Sequence, residues 1–321
     1  VGIPLVIDTD TAQDDCVAIL VGLLDPVADL RAITMVAGNV GFDRQVHNAW
    51  MTLDVADRLD VPIHLGSRRP LVRDRVSAED VHGDGGGGLA IDETGLTPSR
   101  EHAVDALVRL AAEAPGELRV VAIGPLTNIA LAVLRDPDFA SNVKALYVMG
   151  GSNNARGNIT ASAEFNFYVD PDAAKTVFGA GFDVTVVPWA PLVLDDGLLT
   201  RDELARIAAL GTPLARFVMR VCEATLAYDE SVGIAGSTHP DSLTAAVLLH
   251  PELVLQSARY AVDVEADSEL TRGHSAMSWG IHGLRANATV IERVDREGFL
   301  AYLLELLARD TRPPRPFSPA L

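Results

Sequence analysis

Four carboxylates crowd a short stretch near the start of the chain, Asp8-Thr9-Asp10-Thr11-Ala12-Gln13-Asp14-Asp15, directly after the apolar run Leu5-Val6-Ile7. Packed together without a counter-ion, such groups repel one another and some take up protons. A hard divalent cation removes the repulsion, because it is bound by oxygen ligands. Asp10 at the end of the strand and Asp15 at the start of the next helix can both reach one ion. Capping of that helix accounts for one or two aspartates in its first turn, but not for four. The chemistry that fits is metal binding or carboxylate catalysis.

Such a cluster needs rigid support, and the surrounding pattern supplies it. Short β-branched apolar runs at 3–7, 31–37, 61–65, 119–123, 145–149 and 184–187 read as strands, with helical patterns at 15–24 and 44–58. Near-continuous apolar strands are buried on both faces, as in a parallel sheet. Their alternation with helices predicts a doubly wound α/β fold, mostly parallel and flanked by helices. Residues 195–228 read as an extra helical segment, and 253–264 and 288–294 as edge strands in the C-terminal part. In such folds the site lies beyond the carboxyl ends of the strands, which is where the aspartates fall.

Composition narrows the function. At 48% hydrophobic, the 321-residue chain can bury a large core. No linker composition or fixed-period repeat divides it, so residues 1–310 are expected to form one domain, followed by a Pro-rich tail at 311–321. A net charge of −18 argues against nucleic acids and anionic membranes as partners. Cys16 and Cys222 form no CxxC pair and read as buried thiols. No apolar run reaches the ~18 residues of a membrane span. The opening Val1-Gly2-Ile3-Pro4 has no basic leader region, and a cytoplasmic location is the expectation.

Two enzyme families share features with the acidic loop. Asp8-Thr9-Asp10-Thr11-Ala12 resembles the DxDx[TV] motif of haloacid-dehalogenase phosphotransferases, which would make Asp8 a nucleophile, but it departs at the last position. That family also uses a Lys, and neither Lys144 nor Lys175 is well placed for a phosphate.

The fuller resemblance is to the inosine/uridine-preferring nucleoside hydrolases. The acidic loop is similar to their DxDxGxDD opening, with Thr11-Ala12 where Pro-Gly is customary. Val36-Ala37-Gly38-Asn39, Val81-His82-Gly83-Asp84-Gly85, Gly124-Pro125-Leu126-Thr127-Asn128, Met149-Gly150-Gly151 with Gly157-Asn158, Ala163-Glu164-Phe165-Asn166 with Asp170-Pro171, and His239-Pro240-Asp241 follow in the family's order. The ordered set spans at least residues 3–250, and it is the order that makes it specific.

This resemblance implies a Ca²⁺ ion held by Asp10, Asp15, Asp241 and the main-chain carbonyl of Ile123. It implies Asp10 as the base that deprotonates a metal-bound water, and Asp14, Asn39, Met149, Asn158, Glu164 and Asn166 around the ribose. It further implies a small-molecule ribonucleoside as substrate and a homodimer or homotetramer. The residue types suit the reaction, since breaking the C1′–N bond builds positive charge on the sugar, which carboxylates stabilise. Asn39 and Asn158 each follow a glycine, where Asn also serves a turn. Glu164 and Asn166, two apart in an apolar setting, would share one strand face.

Leaving-group activation is the weaker match. Some members carry a His directly before the late Asp, whereas here that position is Pro240 and His239 lies one residue earlier. His82, His239, His274 and Trp279 are the candidates near the leaving base, with His82 and His239 foremost. The glycine run 85–88 and residues 221–238 are candidate lids. A catalytically silent nucleoside- or ribose-binding protein would keep the same acidic loop. Purine or pyrimidine preference does not follow from the motifs, because loops build the base pocket.

Overall fold

The computed structural model describes residues 2–82, 97–280 and 283–309; the glycine run 85–88 and the tail 311–321 lie outside them. The first strand, β1 (Ile3–Thr9), is followed by β2 (Ala28–Met35), β3 (Ile63–Leu65), β4 (Arg119–Ala122), β5 (Ala145–Met149) and β6 (Val184–Val187). Two short strands, β7 (Leu198–Leu199) and β8 (Ser237–Thr238), pair with each other. Then come β9 (Val254–Val264), β10 (Ser275–Ser278) and β11 (Ala288–Val294).

Nine strands form one sheet in the order β10-β9-β11-β6-β5-β4-β1-β2-β3. From β3 through β6 to β11 every neighbour is parallel, and β9 pairs antiparallel with both β11 and β10. The expected C-terminal strands do add to this side of the sheet, but β11 lies inside it and β10, which periodicity did not reveal, is outermost. β10 is only four residues long, too short for alternation to stand out.

Side chains on alternate faces feed two cores. Leu5 and Ile7 of β1 pack on one side with the helices Gln13–Leu24, Phe42–Val55, Pro213–Val221, Pro240–Leu249 and Arg296–Leu307. Val6 packs on the other with Ala103–Glu113, Thr127–Arg135 and Pro171–Gly179. Helix Gln13–Leu24 is buried from Gln13 to Leu23, so it is apolar around most of its circumference rather than along one stripe. Residues 195–228 are helical apart from β7 and short connections, as the pattern implied. Among the described residues no helix is long and apolar enough to cross a membrane.

The strand order reverses between β1 and β4. From β1 the chain builds outward to β2 and β3, then returns to β4 on β1's other side. A crevice at such a reversal is the usual ligand position in open α/β sheets. Asp10 directly follows β1 and Ile123 directly follows β4.

Candidate active site

A cavity of about 280 Å³ opens at the carboxyl ends of the strands, near the small end of the ~300–1,000 Å³ common for ligand sites. Each of the central strands hands it residues: Asp14 and Asp15 after β1, Asn39 after β2, Ile123 after β4, Met149 at the end of β5 and Trp189 after β6. His82, Asn158, Glu164, Asn166 and Asp241, also expected, stand on its walls.

Asp10 lies beneath this surface and is fully buried. Two glycines make room for it. A Cβ on Gly38 would meet Asp10 Oδ2 at 2.0 Å, and one on Gly124 would meet Oδ1 at 2.8 Å. The Asn39 N–H donates to Asp10 Oδ2 (2.9 Å), whereas buried Oδ1 has no hydrogen-bond partner. Asp15 accepts from Thr9 Oγ1 (2.6 Å), from the Ala12 N–H (2.9 Å) and from Asn39 Nδ2 (3.3 Å).

The electrostatics are those of an uncompensated anionic cluster. Burial, then the charge of Asp15, pushes Asp10 well above the usual carboxylate range. Burial raises Asp15 to about 6 and Glu164 to about 7. Asp241 is pushed well up by burial and by the charges of Asp15, Asp14 and Asp10. Among the described residues, no three His, Cys, Asp or Glu side chains form a ready-made metal cage. Asp15 and Asp241 nevertheless line the same cavity, Asp10 is buried beneath it, and Asp10 Oδ1 has no hydrogen-bond partner in the protein. The donor set is all oxygen and fits a hard cation such as calcium. The Ile123 carbonyl, which accepts from Asn166 Nδ2 (3.1 Å), keeps a second lone pair free.

Asp14 has a different local role. Its carboxylate accepts from the N–H groups of Asp241 (2.6 Å) and Ser242 (3.2 Å) and from Ser242 Oγ (2.9 Å). It therefore caps the helix Pro240–Leu249 and anchors the turn carrying Asp241. His239 Nδ1 lies 3.0 Å from Asp14 Oδ1, and His239 is buried behind the cavity rather than lining it.

Glu164 and Asn166 reach the cavity from a helix end, not from a strand. Glu164 caps the helix Phe165–Val169 by accepting from the N–H groups of Asn166 and Phe167, and it also accepts from the Gly151 N–H (2.9 Å). A helix of five residues is too short to announce itself by periodicity. Asn166 Nδ2 bridges the carbonyls of Ile123 and Met149. Asn158 Oδ1 accepts from the Phe165 N–H (2.8 Å).

His82 faces the cavity with Nε2 3.2 Å from Asn39 Oδ1. His274 contacts the Ser162 carbonyl instead, Trp279 is 61% exposed, and neither lines the cavity. Asp8 is turned into the sheet, where it accepts from Thr34 Oγ1 (2.6 Å) and Asn128 Nδ2 (2.8 Å). It presents no nucleophile to the cavity, which removes the support for the phosphotransferase alternative.

Sequence reasoning named 221–238 only as a candidate lid, and missed that Thr225, Tyr228, Asp229 and Ile234 within it, together with Arg156 and Trp189, line the cavity. Trp189 follows β6 and was open to the strand-end rule. Thr225 and Asp229 lie one turn apart on the helix Glu223–Ser231, and single residues on a solvent-edge helix carry no signal.

Comparison with known proteins agrees with this geometry. Residues 5–301 match the family model described as inosine-uridine preferring nucleoside hydrolase. The pyrimidine-specific ribonucleoside hydrolase RihA of Citrobacter koseri is 35% identical, covering 95% of this chain and 98% of the relative. The solved plant nucleoside hydrolase PpNRh1 superposes with a TM-score of 0.89 at 30% identity, covering 96% of this chain and 99% of that one. The purine-preferring ribonucleoside hydrolase of Gardnerella vaginalis gives 0.88 at 27% identity, covering 95% and 98%. With residues 5–301 matched and its acidic crevice at the sheet's switch point, the chain is a nucleoside hydrolase and belongs to the inosine-uridine preferring nucleoside hydrolase family.

Proposed function

We propose that this chain cleaves the C1′–N bond of ribonucleosides to ribose and free base, with Asp10 as general base and calcium held by Asp10, Asp15, Asp241 and the Ile123 carbonyl. The observation that carries this reading is the unpartnered, buried Asp10 Oδ1 within a group of carboxylates beneath a cavity. When bound, the ion supplies the charge that ionises these carboxylates and acidifies a water.

The chain's own groups do the rest. Asp10 Oδ1, having no other partner, takes the proton of the attacking water. Asp14, Asn39, Met149, Asn158, Glu164 and Asn166 hold the sugar, and the carboxylates stabilise the positive charge that develops on it. His82 protonates the departing base, because among the described residues it is the histidine that lines the cavity, while His239 lies behind Asp14. Residues 1–310 work as one domain in this reading. Relatives named pyrimidine-specific and purine-preferring share the architecture, so the sugar end is the common element.

The test is release of reducing sugar and free base from inosine and uridine by chelated protein, before and after calcium is restored. Activity that returns with calcium supports the reading. Nucleoside binding without product would support a silent binding protein instead.

A further inference from the structure

Gln13 occupies the only position in the acidic loop whose side chain is an amide, and it points away from the carboxylates. It is 1% exposed, so its polar atoms need partners within the protein. Its Nε2 donates to the His82 carbonyl (3.0 Å), and its Oε1 contacts His82 Nδ1 and accepts from Thr225 Oγ1 (3.1 Å). One side chain thus grips the backbone and ring of His82 and ties both to the neighbouring helix Glu223–Ser231.

The amide orientation follows from these contacts. With Nε2 committed to a carbonyl, Oε1 must face the ring, so Nδ1 is the protonated nitrogen. On the ring's other side, Asn39 Nδ2 donates to Asp15 Oδ2 (3.3 Å), which turns Asn39 Oδ1 toward His82 Nε2. Both ring nitrogens therefore face oxygen acceptors, an arrangement that suits a ring carrying two N–H groups. The Nε2 side borders Asn39, one of the sugar-binding residues.

We propose that Gln13 is a positioning residue for leaving-group protonation: it fixes the His82 ring so that Nδ1 keeps its proton and Nε2 delivers one to the departing base. This rests on the reading of His82 as the acid. The step balances. The C1′–N electron pair leaves with the base nitrogen, which gains a proton as the Nε2–H bond breaks. The neutral imidazole left behind has its remaining proton on Nδ1, already received by Gln13 Oε1. Water supplies the new C1′–O bond and its proton goes to Asp10. Thr225 holds Gln13 Oε1 in place, so the acid is aligned through the helix Glu223–Ser231 as well as through the acidic loop.

The experiment compares two substrates that differ in their need for an acid. Uridine leaves as a poor anion and benefits from protonation, whereas p-nitrophenyl β-D-ribofuranoside releases a stable phenolate without it. kcat and KM are measured for wild type, His82→Ala, Gln13→Ala and Gln13→Met, all loaded with calcium, with a thermal melt of each. The Met variant keeps the length of the side chain and removes the acceptor. His82→Ala is expected to lose about 10²-fold in kcat on uridine, as loss of a general acid does. Both Gln13 variants are expected to lose about 10-fold on uridine through misalignment, with KM little changed. On the aryl riboside all three are expected to stay within about threefold of wild type, because no proton is required. Equal losses on both substrates would show that Gln13 merely supports the loop, and would overturn the proposal. So would unchanged uridine turnover in folded Gln13→Met. If His82→Ala keeps wild-type kcat on uridine, the assignment of His82 as acid fails, a result separable from any effect at Gln13.

Discussion

The α-carbon of Gly38 lies against the carboxylate of Asp10, so closely that a Cβ there would sit 2.0 Å from Oδ2. Real atoms do not approach so near, and Asp10 is fully buried with no free direction of retreat. Gly38→Ala is expected to displace Asp10 and to break its bond from the Asn39 N–H. Small-to-large changes in packed interiors cost about 1–3 kcal/mol, and a displaced base would lower kcat by more than tenfold, on the order of what a ~1 Å misplacement produces. A thermal melt and kcat on uridine check this. A variant with wild-type values for both would mean that Asp10 has more freedom than its packing allows.

The sugar end of the cavity carries the second prediction. Its polar groups meet ribose hydroxyls or go unpaired. Loss of the 2′-hydroxyl should leave at least one buried polar group unsatisfied, at about 1–3 kcal/mol. The expected outcome is a kcat/KM for 2′-deoxyuridine about 10- to 100-fold below that for uridine. Equal turnover of the two would mean that the 2′-hydroxyl meets none of these buried groups.

A third prediction concerns stability away from the site. His250 Nε2 lies 2.7 Å from Asp25 Oδ2, which also accepts from the Tyr302 hydroxyl (2.7 Å). Burial lowers the His250 value, but bonds to Asp25 and Glu252 outweigh it and the net shift is upward. Burial raises Asp25, but bonds from Tyr302 and His250 outweigh that and the net shift is downward. A raised histidine contributes stability below its unfolded value of about 6.5, lost as pH rises through the folded value. A lowered aspartate contributes above its unfolded value of about 3.9, lost as pH falls through the folded value. The pair is therefore strongest between these limits. His250→Gln should lower Tm by about 2 °C near pH 5.5, for a loss of about 1 kcal/mol, and by less at pH 9. An equal difference at both pH values would show that the imidazolium charge contributes nothing.

Much of the site was legible because it obeys one rule: polar residues stand just after apolar strands. Asp10 directly follows β1 and Asn39 comes shortly after β2, while the apolar Ile123 and Met149, at the ends of β4 and β5, were named by the family resemblance. One element and one long-range contact escaped. Glu164 and Asn166 looked like one strand face, yet they belong to a five-residue helix whose start Glu164 itself caps. Gln13 and Thr225 meet across more than two hundred residues of sequence, and no local pattern records such a contact. The aspartate cluster also divided its labour in a way spacing could not show. Asp8 braces the sheet, Asp14 both lines the cavity and caps a helix distant in sequence, and Asp10 and Asp15 are left for the metal and the water.

The central claim is that Asp10 is the base, and Asp10→Asn tests it most directly. The amide keeps the size of the side chain and one oxygen, but it is a very weak base. The measurement is kcat on uridine and inosine at saturating calcium, with a thermal melt to establish folding and a calcium titration to establish loading. The expected result is a folded, calcium-loaded variant whose kcat falls by about 10²–10⁴-fold, the range for loss of a general base. A folded, loaded Asp10→Asn protein with near wild-type kcat would contradict it and move the role to Asp15 or Glu164.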